Sequence, residues 1–329
     1  MIMNITEIVA DIKKRSITKG EPVEGIYFIA CGGSLAGLYA GKYLLDRESR
    51  KFRVADYNAK QFVLATPKAF NENCIAVCCT LKGTPEVEEA IRLCRETGAY
   101  TIAICGEGND STTAYADYII RFKTVADVNT PMLETNISEA LWLGFEILHQ
   151  FEDYEYYEDA LQAFGFLENM AKKIRRYVNK GRAQEFAQMN REEEVIYVMA
   201  GAPALGVGYA FSLCSLMEIQ WIHSPLVNAA EFFHGAFETL DKNLSVLQLI
   251  SDGRSREEDL RAQRFLKRFG VKISELDAKE LGIDEIRDTV KEYFNHVVLD
   301  VALREYITQL AIVRKHPKEV RRYMWKMEY

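Results

Sequence analysis

The chain has 329 residues, 48% of them hydrophobic, with 41 basic and 48 acidic side chains and a net charge of −7. That length supports a sizeable core and about two domains, and the interspersed charge is not a basic nucleic-acid footprint. The N-terminus has no apolar leader with a cleavage site, and no window approaches about 18 uninterrupted apolar residues, so neither a secretory signal nor a membrane span is expected.

In chain order, GIYFIACGG (25–33) predicts a strand running into a glycine turn, with helical residues at 34–46. KFRVADYN (51–58), CIAVCCT (74–80), YTIAICG (100–106) and ADYIIRF (116–122) read as further strands. PEVEEAIRLCRETG (85–98) reads as an amphipathic helix closed by Gly98. From about 134 to 190 apolar residues recur at helical spacing, which predicts one or two long helices bridging domains. Then IYVMAGAPALGVGYA (196–210) repeats the pattern of IYFIACGGSLAGLYA (26–40): strand, small-residue turn, helix start. SVLQLIS (245–251), a helix at 259–270, VKISELD (271–277) and a helix at 296–315 complete the second copy.

The fold class is therefore α/β, with two tandem, doubly wound, largely parallel sheets. The expected division is a first domain over 1–150, a helical connector over 151–190, a second domain over 191–315 and a tail over 316–329. Of seven cysteines, Cys31, Cys78, Cys79, Cys105 and Cys214 lie in apolar runs. This suits reduced thiols in the cytoplasm and not a disulfide framework, and no Cys/His spacing resembles a zinc site.

In such a sheet, ligands sit beyond the carboxyl ends of strands, against helix N-termini that favour anions. Two ends carry suitable side chains. One is Cys31-Gly32-Gly33-Ser34; the other runs from Cys79 and Thr80 through Lys82 and Gly83 to Thr84. Hydroxyls and glycines there suit a phosphate. They equally suit ordinary turns, with Thr84 as helix N-cap and Pro85 as first helical residue. Neither loop is a GxGxxG or P-loop motif, so nucleotide binding is not favoured.

A second signal is an absence. Between Val195 and Asp241 there is no Lys or Arg, and the charged residues are Glu218, Glu231, Glu238 and Asp241, where average composition would supply about a dozen charges of both signs. Glu218, His223, Glu231 and His234 stand within the apolar stretch LMEIQWIHSPLVNAAEFFHG (216–235). Glu218 falls near the C-terminal end of a helix predicted over 206–222, where the dipole disfavours an anion. Apolar neighbours would raise its pKa toward a range useful for a general base. His234 follows two phenylalanines and precedes a glycine, leaving a helix or turn. His223 and Glu231 read equally well as loop-organising groups.

The CGGS turn, the loop ending in TPE and the repeat near 196 resemble the double sugar isomerase (SIS) architecture. MEIQWIHSPLVNAAEFFHG resembles the second-domain signature of the glucosamine-6-phosphate synthase isomerase module. With the tail HPKEVRRYMWKMEY, the chain is most similar to fructosamine-6-phosphate deglycases. The resemblance implies phosphate binding by Ser34 and Thr84; Cys79 and Leu81 replace two serines and Lys82 a glycine of the usual loop, and Gly33, Cys79 and Thr80 complete the candidate set from the loops' own residues. The resemblance also implies Glu218 as catalytic carboxylate and His234 as ring-opening histidine; His223 and Glu231 are supporting candidates from their position alone. In relatives that histidine reaches the site from a neighbouring subunit, which implies a homodimer or larger assembly.

The implied reaction splits an Amadori compound, a fructosamine 6-phosphate bearing an amino acid, into glucose 6-phosphate and a free amine. The substrate nitrogen stabilises the intermediate, so no metal or other cofactor is expected; nor is a nucleic-acid or membrane partner. The amide-transferring relatives carry a glutaminase domain and a lysine near the C-terminus. Here the first strand begins near residue 25, leaving no expected room for that domain, and Tyr323 stands at the lysine's distance from the end, with Lys326 shifted. A phosphosugar isomerase and a non-catalytic sugar-phosphate sensor remain the alternatives; the sensor would be expected to carry a DNA-binding helix-turn-helix.

Overall fold

In the computed structural model, which describes residues 3–108, 110–123 and 130–328, the first element is a helix that the pattern reading passes over. α1 (Ile5–Lys19) opens on a reciprocal cap between Asn4 and Glu7 and closes on Gly20, whose φ of 71° suits glycine. Ile5, Ile8, Val9 and Ile12 form its buried stripe.

The chain divides into two compact units, Met1–Gly165 and Phe166–Tyr329. In the first, β1 (Gly25–Ala30), α2 (Gly32–Glu48), β2 (Arg53–Asn58), α3 (Ala59–Leu64), β3 (Cys74–Thr80), α4 (Pro85–Glu96), β4 (Tyr100–Gly106), α5 (Asp110–Thr113), β5 (Tyr118–Phe122) and α6 (Asn136–Glu152) follow in order. The sheet is parallel throughout, in the order β2-β1-β3-β4-β5. β1, β3 and β4 are buried at every residue, so they read as continuous apolar runs. α4 buries Val87, Ala90, Ile91 and Cys94, one helical stripe.

α2 lies tightly on α6. A Cβ on Gly41 would sit 2.2 Å from the Ala140 carbonyl oxygen, and one on Gly37 2.1 Å from the Asn136 amide nitrogen. At Gly41, where the obstacle is backbone, no larger residue fits without separating the helices. This packing brings the first turn of α6 to the carboxyl ends of β1 and β3.

α7 (Tyr157–Val178) begins in the first unit and ends in the second. The second unit continues with α8 (Arg182–Met189), β6 (Ile196–Ala200), α9 (Leu205–Ala210), β7 (Leu226–Asn228), β8 (Ser245–Ile250), α10 (Arg256–Phe269), β9 (Lys272–Asp277) and α11 (Asn295–Val313). Its parallel sheet runs β7-β6-β8-β9. This is the strand order of the first sheet without the fifth strand, so the sequence repeat is a repeat of topology.

The predicted helix over 206–222 differs in detail. After α9 the chain is a π-helix over Phe211–Ile219, and the turn ends on Trp221 at φ 56°. Ala202–Ile219 is long and apolar enough to cross a membrane by length and composition, with mean hydropathy 1.3. Nearly half of that window is buried within the fold, and it is the helix that follows the central strand β6. All seven cysteines are free, and Cys74, Cys78, Cys79, Cys94 and Cys105 are buried.

Candidate active site

In the first sheet the strand order reverses between β1 and β3, the switch point at which doubly wound folds bind ligands. Ala30 is in register with Cys79, so the two following loops leave the sheet at one level. α2 begins at once, with Gly32 at φ 51° and no side-chain cap from Cys31. The first N–H groups of α2 therefore have no partner within the helix. Across the gap Gly83 has φ 80°, and its N–H donates to the Thr80 hydroxyl at 3.2 Å, closing the second loop. Thr84 stands at the N-cap of α4 with Pro85 at the first helical position, but its hydroxyl makes no cap bond.

The hydroxyls sit at graded depth: Thr80 buried, Ser34 half-buried, Thr84 exposed. Cys79 is completely buried, and its thiol is bonded by the Ser34 hydroxyl and by the Asn136 amide at 4.0 Å. Burial pushes this thiol up to about 12, so it stays uncharged and sets no negative charge against an anion. The structure thus joins Ser34 to Cys79 and Thr80 to Gly83. Lys82 is exposed and Gly33 lies on the outside of the turn.

In the second unit Glu218 occupies the last turn of the π-helix. Such i→i+5 turns are uncommon and recur at functional sites. The apolar, cation-free neighbourhood expected from local sequence is not what its carboxylate meets. Arg321, from the tail, places Nε and Nη2 each 2.8 Å from Glu218 Oε1. The cation missing near Glu218 in sequence arrives from 103 residues away. The same tail passes the helix end twice more: the Gln220 amide donates to the His316 carbonyl at 3.0 Å, and the Trp221 ring packs against His316 and Arg322.

His234 ends a short 3-10 turn, Phe232–His234, and is exposed. Its position is set from behind by Phe232 and Phe233, which pack with Phe237 and Phe265 in an aromatic cluster. Among the described residues no hydrogen bond or ion pair joins His234 to Glu218. His223 and Glu231 are also exposed. The His223 backbone bridges to Val195 and exchanges bonds with Glu194 and Ile196, extending the β6–β7 edge. The Glu231 carbonyl accepts from His234 N–H at 2.9 Å. The backbones of both residues shape the loop.

The sequence is 34% identical to the fructosamine deglycase FrlB of Bacillus subtilis, over 94% of each chain. The chain belongs to the fructosamine deglycase family. The fructoselysine 6-phosphate deglycase of Escherichia coli K12 is 25% identical over 96% of this chain and 88% of its own. A crystal structure from Salmonella typhimurium, described as a candidate phosphosugar isomerase, superposes over the whole of both chains with a TM-score of 0.94 and 36% identity. No family model matches the sequence.

Two residues of this deglycase-family chain escaped the sequence reading. Asn136 bears on the candidate phosphate loops only because α2 and α6 approach so closely, and nothing local announces it. Arg321 had a signal: carboxylates in a cation-free stretch, and a tail carrying two adjacent arginines, Arg321 and Arg322.

Proposed function

We propose that the chain splits a fructosamine 6-phosphate into glucose 6-phosphate and a free amino acid. The 6-phosphate is assigned to the paired loops of the first unit: to helix-start N–H groups at Gly32 and Gly33, and to the hydroxyls of Ser34, Thr80 and Thr84. Cys79 serves there as a buried prop for Ser34. His234 assists opening of the ketose ring. Glu218 takes the proton from C1, giving an enaminol while the carboxylate becomes a carboxylic acid. That acid exchanges its proton with water and protonates C2, and the nitrogen gives up its own proton to water, leaving an aldose imine. Water then adds at C1, the C–N bond breaks, and the amine leaves as the aldehyde of glucose 6-phosphate forms. The substrate nitrogen spreads the electron pair of the enaminol.

The observation that supports this reading most directly is the state of Glu218. One carboxylate oxygen carries two guanidinium contacts, and the other has no hydrogen-bond partner among the described residues. Substitution by Gln keeps shape and hydrogen bonding while removing the base. Positioned general bases typically contribute about 10²–10⁴-fold, so Glu218→Gln should lower kcat by at least about 10²-fold with sugar-phosphate binding intact. In deuterated water the glucose 6-phosphate released by the unaltered enzyme should carry deuterium at C2. A variant within about threefold of the parent rate means that another group carries the proton, whereas product without that label means that the proton passes from C1 to C2 without exchange.

The exposed His234, with no hydrogen bond or ion pair to Glu218 among the described residues, favours an assembly in which one chain's histidine serves another's carboxylate. Mixing the Glu218→Gln and His234→Asn chains should then restore activity that neither has alone. Free buried thiols and a phosphorylated substrate fit a cytoplasmic setting.

A further inference from the structure

We propose that Arg321 is a positioning residue for Glu218: the tail's guanidinium pins one carboxylate oxygen so that the other is presented as the base. This rests on the assignment of Glu218 as the proton carrier. A carboxylate left to itself rotates about its last bond and offers either oxygen. Proton transfer needs a lone pair held within about 3 Å of the proton, and small displacements at such a centre are costly in rate.

The contacts around Arg321 are asymmetric in the way this role requires. Nε and Nη2 both point to Oε1, at 2.8 Å each, and leave Oε2 without a partner among the described residues. Nη1 turns the other way and donates to the Lys318 carbonyl at 2.6 Å and the Val320 carbonyl at 3.0 Å. The guanidinium is thus tied to its own backbone on one side and to Glu218 on the other. Its side chain is only 12% exposed. The Trp325 ring lies 5.5 Å away, and the Lys326 ammonium donates to the Arg321 carbonyl.

The backbone that carries Arg321 is anchored in turn. The Gln220 amide holds the His316 carbonyl, and the Lys318 ammonium donates to the Thr308 hydroxyl on α11 at 3.1 Å. Arg322 lies over the Trp221 ring at 4.3 Å. Trp221 keeps a left-handed φ of 56°, a conformation bulky residues rarely adopt and one that clusters at functional sites. Glu218, Gln220 and Trp221 therefore meet Arg321, His316 and Arg322 as one clasp.

The test separates positioning from fastening, using the full chain. Arg321→Ala should lower kcat by about 10²-fold, with KM for the fructosamine 6-phosphate within about threefold of the parent. Guanidinium chloride at millimolar concentration should restore at least about tenfold of that loss. In a Glu218→Gln background the same substitution should cost less than about threefold, because the two groups act as one unit. Arg321→Lys keeps the charge and stem but loses the fork, and should fall between. It also carries the test if the alanine variant does not fold, a drop in kcat of at least about threefold being expected. A kcat within threefold of the parent for Arg321→Ala, or for Arg321→Lys where it stands in, overturns the proposal. So does an undiminished loss in the Glu218→Gln background, which would make the tail structural. Full activity of Glu218→Gln by itself would instead remove the assignment of Glu218.

Discussion

Between β1 and β3 the first sheet leaves two glycine turns, three hydroxyls, a helix start without a side-chain cap and a neutral thiol beneath them. Between β6 and β8, at the same place in the same strand order, the second sheet holds a carboxylate. Asp259 of α10 is fully buried there. Its Oδ2 accepts from the Ser251 N–H at 2.9 Å and from the Ser251 hydroxyl at 2.6 Å. A Cβ on Gly201, just past β6, would lie 2.6 Å from Asp259 Oδ1. The glycine that would let an anion approach the backbone here lets in the protein's own carboxylate. One topology offers the same slot twice, and in the second unit Asp259 fills it internally. Repetition of a fold does not repeat the site, because a single side chain on the following helix decides it.

That contrast can be broken by making the first slot resemble the second. Ser34→Asp puts a carboxylate on the third residue of α2, where the helix dipole favours it and the fold should survive. A negative charge beside the expected phosphate should lower sugar-phosphate affinity by about 10³-fold or more, measurable by calorimetry. Folded protein with unchanged affinity would place the phosphate elsewhere.

Smaller losses should follow from removing hydroxyls without adding charge. Ser34→Ala and Thr84→Ala each delete one hydrogen bond to a charged group, typically worth about 1.5–3 kcal/mol, or about tenfold or more in affinity. Unphosphorylated fructosamines should accordingly be poor substrates for the unaltered enzyme. Equal turnover with and without the phosphate would reject the loop assignment.

The least effect on binding is expected at the filled slot. Asp259→Asn should leave sugar-phosphate affinity within about twofold and change instead how stability depends on pH. Burial pushes this carboxyl up to about 6, against an ordinary value near 3.8. The folded state therefore binds the proton more tightly than the unfolded state does. The stability this contributes is fully present below about pH 4 and is lost as pH rises through about 6, to a limit of about 3 kcal/mol. Unfolding measured across that window should show this fall for the parent relative to the Asn variant. Parallel curves would mean that Asp259 is not held as described.

Much of the fold was legible in the sequence. The central strands Gly25–Ala30, Cys74–Thr80 and Tyr100–Gly106 are unbroken apolar runs because both faces of a parallel sheet are covered. Pro85 and Gly98 mark the ends of one helix because their backbone preferences are local. The likeness of 26–40 to 196–210 foretold two copies of one α/β unit, each built on a parallel sheet. Ser34, Thr80, Thr84 and Glu218 could be named because each lies at the end of an element whose type is set by nearby residues.

What the sequence could not decide are relations between distant side chains. The partner of Glu218 is Arg321, Asn136 bonds the Cys79 thiol that Ser34 meets, and the plug of the second slot is Asp259. The π-helix and the left-handed Trp221 belong with the first of these, since the clasp with the tail forms at that end of the helix. Periodicity and capping report forces between residues a few positions apart. Charge pairing, desolvation and close helix approach depend on distance in space, and only the tertiary structure sets those distances.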